Sequence, residues 1–219
     1  MKVTLAALTV PEVEGINSAE EFVAYAARVS NPGNQMNSES APKLLQYLVR
    51  NKHWSPFEMV SMTLEIETTR DIAHQIIRHR SFSFQEFSQR YANIDAMGFT
   101  LAEARLQDAK NRQASIETQD SYLKREWEYK QSLIIDLVKE TYDWGIKNGI
   151  AKECARKVLP EGLTNTRLYM AGTLRSWLHY CIERTAMGTQ KEHREVAESA
   201  VSILNSEFPS ITGILNEAK

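Results

Sequence analysis

The chain has 219 residues, 42% of them hydrophobic and 25% charged, the composition of a folded globular protein with room for one substantial core. Its 26 Lys and Arg against 28 Asp and Glu leave a formal charge of -2, which argues against general nucleic-acid affinity and confines anion binding to local clusters. Two cysteines, Cys154 and Cys181, exclude a disulfide framework and suit free thiols in a reducing cytoplasm; with five scattered histidines they show no metal-ligand spacing, so no metal is expected.

The first element in chain order is "KVTLAALTV", read as a strand. Its apolar run is too short for a signal peptide, and no run nears the roughly 20 residues that span a bilayer, so a cytoplasmic protein is expected. "SAEEFVAYAARVS" reads as a helix with Ser18 as cap and Glu21 completing a capping box. After the turn-rich "NPGNQMNSES", "APKLLQYLVRNK" is a helix with Leu44, Leu45, Leu48 and Val49 on one stripe. In "VSMTLEIET" apolar and polar residues alternate, which predicts a strand with one buried face. "RDIAHQIIRHR" returns to helical spacing through Ile72, Ala73, Ile76 and Ile77, and places Gln75 on one face with Arg78 and His79.

Residues 92–118 look irregular and polar, a long functional or disordered loop. From about 119 to 148 a long helix is expected, with Leu123, Trp127, Ile134, Leu137, Val138 and Thr141 as its stripe and Asn148-Gly149 as its end. At about 45 Å it would outrun a small core and pack on another subunit. "AKECARKVLP" is a short helix, "TNTRLYMAG" a strand, and "TLRSWLHYCIERTA" a helix with Leu174, Trp177, Leu178, Cys181 and Ile182 inward. A last long helix runs from about Gln190 to Ser206, with a further short one closing the chain. The expected class is α+β: a mostly antiparallel sheet with segregated helices, one of them long.

The densest chemistry lies in "RHRSFSFQEFSQRY", residues 78–91. It fits a solvated helix end, a nucleic-acid patch in which Phe82, Phe84 and Phe87 stack bases, or a pocket for a phosphorylated aromatic ligand. If 84–91 is extended, Phe84, Glu86, Ser88 and Arg90 face one way, and an acceptor, a hydroxyl and a guanidinium make a nucleotide lining. Neither GxGxxG nor GxxxxGK[ST] is present, so side chains would have to hold any phosphate. Ser88 lacks a GxSxG context, and both cysteines sit at apolar helix positions, so neither residue type reads as a nucleophile.

Arg78-His79-Arg80, seven residues, then Ser88 and Arg90-Tyr91 resembles the RHRx7S signature of the flavin-dependent thymidylate synthases. "HWSPFE" at 53–58, Gln75, "ARKVLP", "LRSWLHYCIER" and "GTQKEH" fall in the family's order. The resemblance spans most of residues 1–207 and implies that 1–219 is a single synthase domain. It implies transfer of a methylene group from methylenetetrahydrofolate to dUMP, giving dTMP, with FAD carrying hydride from NADPH. It also implies a homotetramer whose sites are shared between subunits, and no cysteine nucleophile.

Carried over by resemblance, the FAD set is His53, Ser55, Arg78, His79, Arg80, Ser81, Glu86, Thr173, Arg175 and His179. The dUMP set is Gln75, Arg78, Glu86, Ser88, Gln89, Arg90, Arg156 and Arg184. Arg90 and Arg156 suit the phosphate, while Arg184 would face the uracil and stabilise charge as N3 ionises. Gln85, Ser55, Thr173 and His179 depart from residues often found at these positions. Surface salt bridging is the plain alternative for Arg156 and Arg175, and a flavoprotein fold without synthase activity is the alternative for the whole.

Overall fold

Hydrophobic alternation and helical spacing build six strands and seven helices among residues 1–211, which the structure, a computed structural model, describes. The strands are Lys2–Leu8 (β1), Ser61–Thr69 (β2), Ser83–Glu86 (β3), Arg105–Gln107 (β4), Ser115–Glu117 (β5) and Asn165–Thr173 (β6). The helices are Ala19–Ala27 (α1), Ala41–Arg50 (α2), Arg70–Ile76 (α3), Ser121–Lys147 (α4), Lys152–Ala155 (α5), Leu174–Arg184 (α6) and Lys191–Glu207 (α7). Four strands hydrogen-bond in the order β1-β2-β6-β3, and β4 pairs antiparallel with β5. The class is α+β, as the patterning implied. The closing helix expected after Ser206 is represented by a 3-10 turn, Pro209–Ile211; its remainder lies outside the described residues. Among the described residues no helix is long and apolar enough to cross a membrane.

The chain divides into two compact units that alternate along the sequence. The first holds Glu67–Arg78 and Gln85–Leu168, with Met1; the second holds Lys2–Ile66, His79–Phe84 and the described residues from Tyr169.

In the first unit, α3 buries Ile72, Ala73 and Ile76 but leaves Ile77 exposed, because the helix closes at Ile76 and Ile77 is its cap. Arg78 therefore lies past the helix, where the spacing had put it in the last turn. Asp120 caps α4 by accepting from the N–H groups of Tyr122 and Leu123 at 2.9 and 3.0 Å. Gly149 follows the helix with φ +80°, a conformation that favours glycine. The 27 residues of α4 make it about 40 Å long. Its buried positions are Gln131, Ile135, Tyr142 and Gly145 rather than the expected stripe: Leu123, Trp127, Ile134 and Leu137 are all exposed. Gln131 is tied inward through both ends of its side-chain amide, Oε1 accepting from the Ala102 N–H at 2.7 Å and Nε2 donating to the Ala102 carbonyl at 3.0 Å. Tyr142 packs with Ile94 and Ala155, backed by Phe99, Ile146 and Leu159.

The expected loop at 92–118 is partly regular, containing the 3-10 turn Ile94–Ala96 and the β4–β5 hairpin in the register Arg105↔Glu117, Leu106↔Ile116 and Gln107↔Ser115. Asp108 turns that hairpin by accepting from the N–H groups of Lys110 and Asn111.

In the second unit, Ser18 accepts from the Glu21 N–H as expected, whereas Glu21 reaches one residue further back to the Asn17 N–H at 2.7 Å. Leu45, Leu48 and Val49 of α2 are buried, and β2 buries Met62 and Leu64. Thr173 caps α6 by accepting from the Ser176 N–H. Trp177 is fully buried, its indole N–H donating to the Met62 carbonyl at 3.0 Å. Helix α7 buries His193, Val196, Ala197, Ala200 and Leu204 at spacings that keep one face inward.

Candidate functional site

Most residues of the expected flavin set belong to the second unit. Lys52 takes φ 58° just past α2, and His53 follows with its N–H donating to the Leu48 carbonyl at 2.8 Å and its ring edge-on to Tyr47. Ser55 opens the 3-10 turn Ser55–Glu58, with Pro56 pre-set for the turn and Phe57 fully buried. The turn aims Glu58 at Arg175 of α6, which donates to the carboxylate through Nη1. One turn along α6, His179 meets the Trp54 ring edge-on at 4.7 Å. Burial and the Arg175 charge hold the His179 imidazole below its usual pKa. Ser81 accepts at its carbonyl from the Ser176 hydroxyl at 3.2 Å, and Arg80 and Ser81 are both exposed. The Thr173 hydroxyl is engaged in capping α6.

His79 of the same unit is half-buried, and Arg184 donates to it: Nε to Nε2 at 2.9 Å. Since guanidinium only donates, Nε2 must carry a lone pair, which makes Nδ1 the protonated nitrogen of a neutral ring. Burial first, then the Arg184 charge, hold the His79 pKa below its usual value and maintain that state, with Glu183 opposing. The buried His193 nearby is lowered to about 4 by desolvation, Arg184 and His79.

Most residues of the expected dUMP set belong to the first unit. Gln75 sits on α3, and the Arg78 N–H closes onto its carbonyl at 3.4 Å. Glu86 ends β3 and is fixed through Oε1, which accepts from Arg70 Nη1 at 3.0 Å and from the Thr166 hydroxyl at 2.8 Å. Beyond it the chain stops being extended. The Phe87 N–H still donates to the Arg167 carbonyl, but the Ser88 carbonyl accepts from both Tyr91 and Ala92 N–H groups, forming a turn. Glu86 thus lies on a strand and Ser88 and Arg90 on a turn, which corrects the single extended face read from the alternation.

That turn and the start of α5 enclose an open cavity of about 410 Å³ lined by Ser88, Arg90, Tyr91, Ala151, Lys152 and Glu153. Arg90 pairs with Glu153 at 3.2 Å, and Lys152 Nζ donates to the Tyr91 carbonyl at 2.9 Å. Two cations and a hydroxyl at one cavity suit a phosphate. Arg156 opens the next 3-10 turn and is half-buried, and Gln89 is buried at 5% exposure.

Phe82 is buried and Phe84 and Phe87 are half-buried, so the three rings form no exposed base-stacking platform. Burial pushes the Cys181 thiol far up and leaves it inert, while Cys154 is exposed. Among the described residues no group of three or more His, Cys, Asp or Glu is placed to hold a metal. Sequence reading missed Trp54 and Glu58, although both stand in the quoted "HWSPFE", and it missed Lys152 and Glu153, signalled only by charge at a helix start. It also missed Tyr180 and His193, although they stand in the quoted "LRSWLHYCIER" and "GTQKEH".

Comparison with known proteins adds to this geometry. Residues 13–210 match the family model described as Thymidylate synthase complementing protein. A probable flavin-dependent thymidylate synthase of Paramecium bursaria Chlorella virus 1 is 49% identical over 216 residues, 99% of each chain. A flavin-dependent thymidylate synthase of Synechocystis sp. is 49% identical over 219 residues, 98% of this chain and 99% of that one. Among solved structures, the UMP/dUMP methylase PolB from Streptomyces cacaoi bound with 5-Br UMP matches with TM-score 0.83 at 25% identity, over 99% of this chain and 94% of that chain.

Proposed function

This chain belongs to the flavin-dependent thymidylate synthase family, and from that premise we propose that it converts dUMP to dTMP, with methylenetetrahydrofolate as carbon donor and NADPH-reduced FAD as hydride carrier. The observation that carries the reading is the bond from Arg184 Nε to His79 Nε2 at 2.9 Å, which joins two pieces of the family pattern 105 residues apart.

The residues suit the flavin dinucleotide. The guanidinium groups of Arg78, Arg80 and Arg175 and the hydroxyls of Ser55 and Ser81 match diphosphate oxygens. Trp54 and His179 offer ring surface, His53 lies nearby in sequence, and His79, Glu86 and Thr173 complete the proposed set. When bound, the flavin supplies a hydride obtained from NADPH.

On the substrate side, Ser88, Arg90 and Arg156 hold the dUMP phosphate, while Gln75, Arg78, Glu86 and Gln89 orient the nucleoside. Arg184 stabilises negative charge on the uracil as N3 gives up its proton, which raises electron density at C5. The methylene carbon then bonds to C5 as its bonds to the folate nitrogens break and those nitrogens take up protons, which releases tetrahydrofolate. The C5 proton leaves to solvent, N3 takes its proton back, and the exocyclic methylene accepts one hydride to become the methyl group of dTMP. No thiol adduct is needed, in keeping with the buried Cys181.

Purified protein is expected to be yellow and to release tritium from C5-labelled dUMP when methylenetetrahydrofolate and NADPH are both supplied. A colourless protein that cannot be reconstituted with FAD would defeat the reading.

The chain works as one functional domain in a cytoplasmic homotetramer with shared sites. Support comes from α4, whose apolar Leu123, Trp127, Ile134 and Leu137 are 38%, 44%, 48% and 64% exposed. Such a face at helical spacing is a surface for another copy of the chain. Light scattering should give the mass of four chains, and Leu137→Arg should reduce it; a wild-type monomer would refute the assembly.

A further inference from the structure

Resting on the reading of Arg184 as the group at the pyrimidine, we propose that Tyr180 is a positioning residue. Its ring holds His79 in the one orientation whose Nε2 accepts from Arg184 Nε, and so fixes where the two terminal amino groups of the guanidinium point. Tyr180 and Arg184 are four residues apart on α6 and share a face. The Tyr180 ring is 1% exposed and meets the His79 ring edge-on at 4.9 Å and 81°. It is itself wedged by Trp177 at 5.7 Å, Phe82 at 6.0 Å and His193 of α7 at 5.8 Å. Phe82 and His193 also stand nearly perpendicular to His79, at 6.4 and 6.1 Å.

An imidazole held through one nitrogen can otherwise turn over about its last side-chain torsion, which puts Cε1 where Nε2 stood, takes the accepting lone pair away from Arg184 and frees the ring to populate both tautomers. Packed rings from α6, α7 and its own loop deny His79 that rotation. The Tyr180 hydroxyl has no hydrogen-bond partner among the described residues, so the ring, not the hydroxyl, does the positioning. Burial drives the phenol's pKa up and that of His79 down, leaving both neutral and the accepting lone pair in place.

The test compares Tyr180→Leu, which removes the ring, with Tyr180→Phe, which removes only the hydroxyl. Each is read by nitrogen NMR of histidine-labelled protein without substrate and by steady-state kinetics. The Leu variant should convert the fixed His79 tautomer into an averaged one and lower kcat by about 10²-fold with little change in KM for dUMP. The Phe variant should keep the wild-type spectrum and rate. If the Leu variant does not fold, Tyr180→Met fills the volume and takes the same readouts. An unchanged His79 spectrum, a changed spectrum with unchanged kcat, or equal damage by Phe and Leu would each overturn the proposal. Absence of turnover in the wild type would instead defeat the functional reading, while the substrate-free spectrum would still decide whether Tyr180 holds His79.

Discussion

Arg184→Ala is expected to lower kcat by about 10²- to 10³-fold, the effect of deleting one fixed donor aimed at developing charge. The flavin spectrum should survive, because the diphosphate donors proposed above lie elsewhere, on Arg78, Arg80 and Arg175. Arg184 is half-buried with Nε engaged by His79, so the guanidinium is oriented before any substrate arrives. Arg184→Lys keeps the charge but loses the planar fork, and should recover only part of the rate. A second readout does not involve turnover. The Arg184 charge helps to hold the His79 pKa down, so its removal should let His79 take up a proton at higher pH in the Ala variant. Full turnover in Arg184→Ala, or loss of flavin from a folded variant, would contradict the assigned role.

Where one face of an element is buried, the sequence is legible. Met62, Leu64 and Ile66 alternate with outward residues because β2 covers a core on one side only, and α6 shows its inward Leu174, Trp177, Leu178 and Cys181 for the same reason. Periodicity does not say what covers a face. The stripe through Trp127 and Leu137 is a genuine helical stripe, yet the described chain buries the side of α4 that carries Gln131 and Tyr142. A glutamine is buried there because the oxygen and the nitrogen of its amide both meet the Ala102 backbone, a pairing across 29 residues that local pattern cannot reveal.

Polar alternation misled for a related reason. Over 84–91 it continues past the backbone pairing that would give it meaning, which ends when the Ser88 carbonyl takes up two N–H groups in a turn. Strands of three residues, such as β4 and β5, are too short to show a period of two, and only Asp108 among acceptor-rich neighbours marked their turn. At the site, residue types announced themselves through charge: Arg78, Arg80, Arg90 and Arg184 are conspicuous in any reading. Tyr180 and His193 are not, since a buried aromatic at helical spacing looks like core until its ring is seen against His79.

Gly172→Ala is expected to destabilise the protein by about 1–3 kcal/mol, the range for one methyl forced into a packed interior. Glycine inside a strand marks a place where something approaches closely. In β6 that neighbour is Phe82: a Cβ on Gly172 would lie 2.4 Å from Cδ1 and 2.6 Å from Cε1 of the ring. The ring cannot easily recede, because Trp177 stands against it at 4.8 Å and Tyr180 at 6.0 Å. Thermal unfolding should fall by about 2–4 °C for each kcal/mol in a chain of this size. Since Phe82 also packs on His79, kcat should fall in folded Gly172→Ala as well. Phe82→Leu removes the ring that the new methyl meets, so the double variant should be more stable than the sum of the single losses, with a coupling of about 0.5–3 kcal/mol. Strict additivity would show that the two residues do not meet, and that the glycine in β6 serves some purpose other than seating the aromatic that follows Arg78-His79-Arg80.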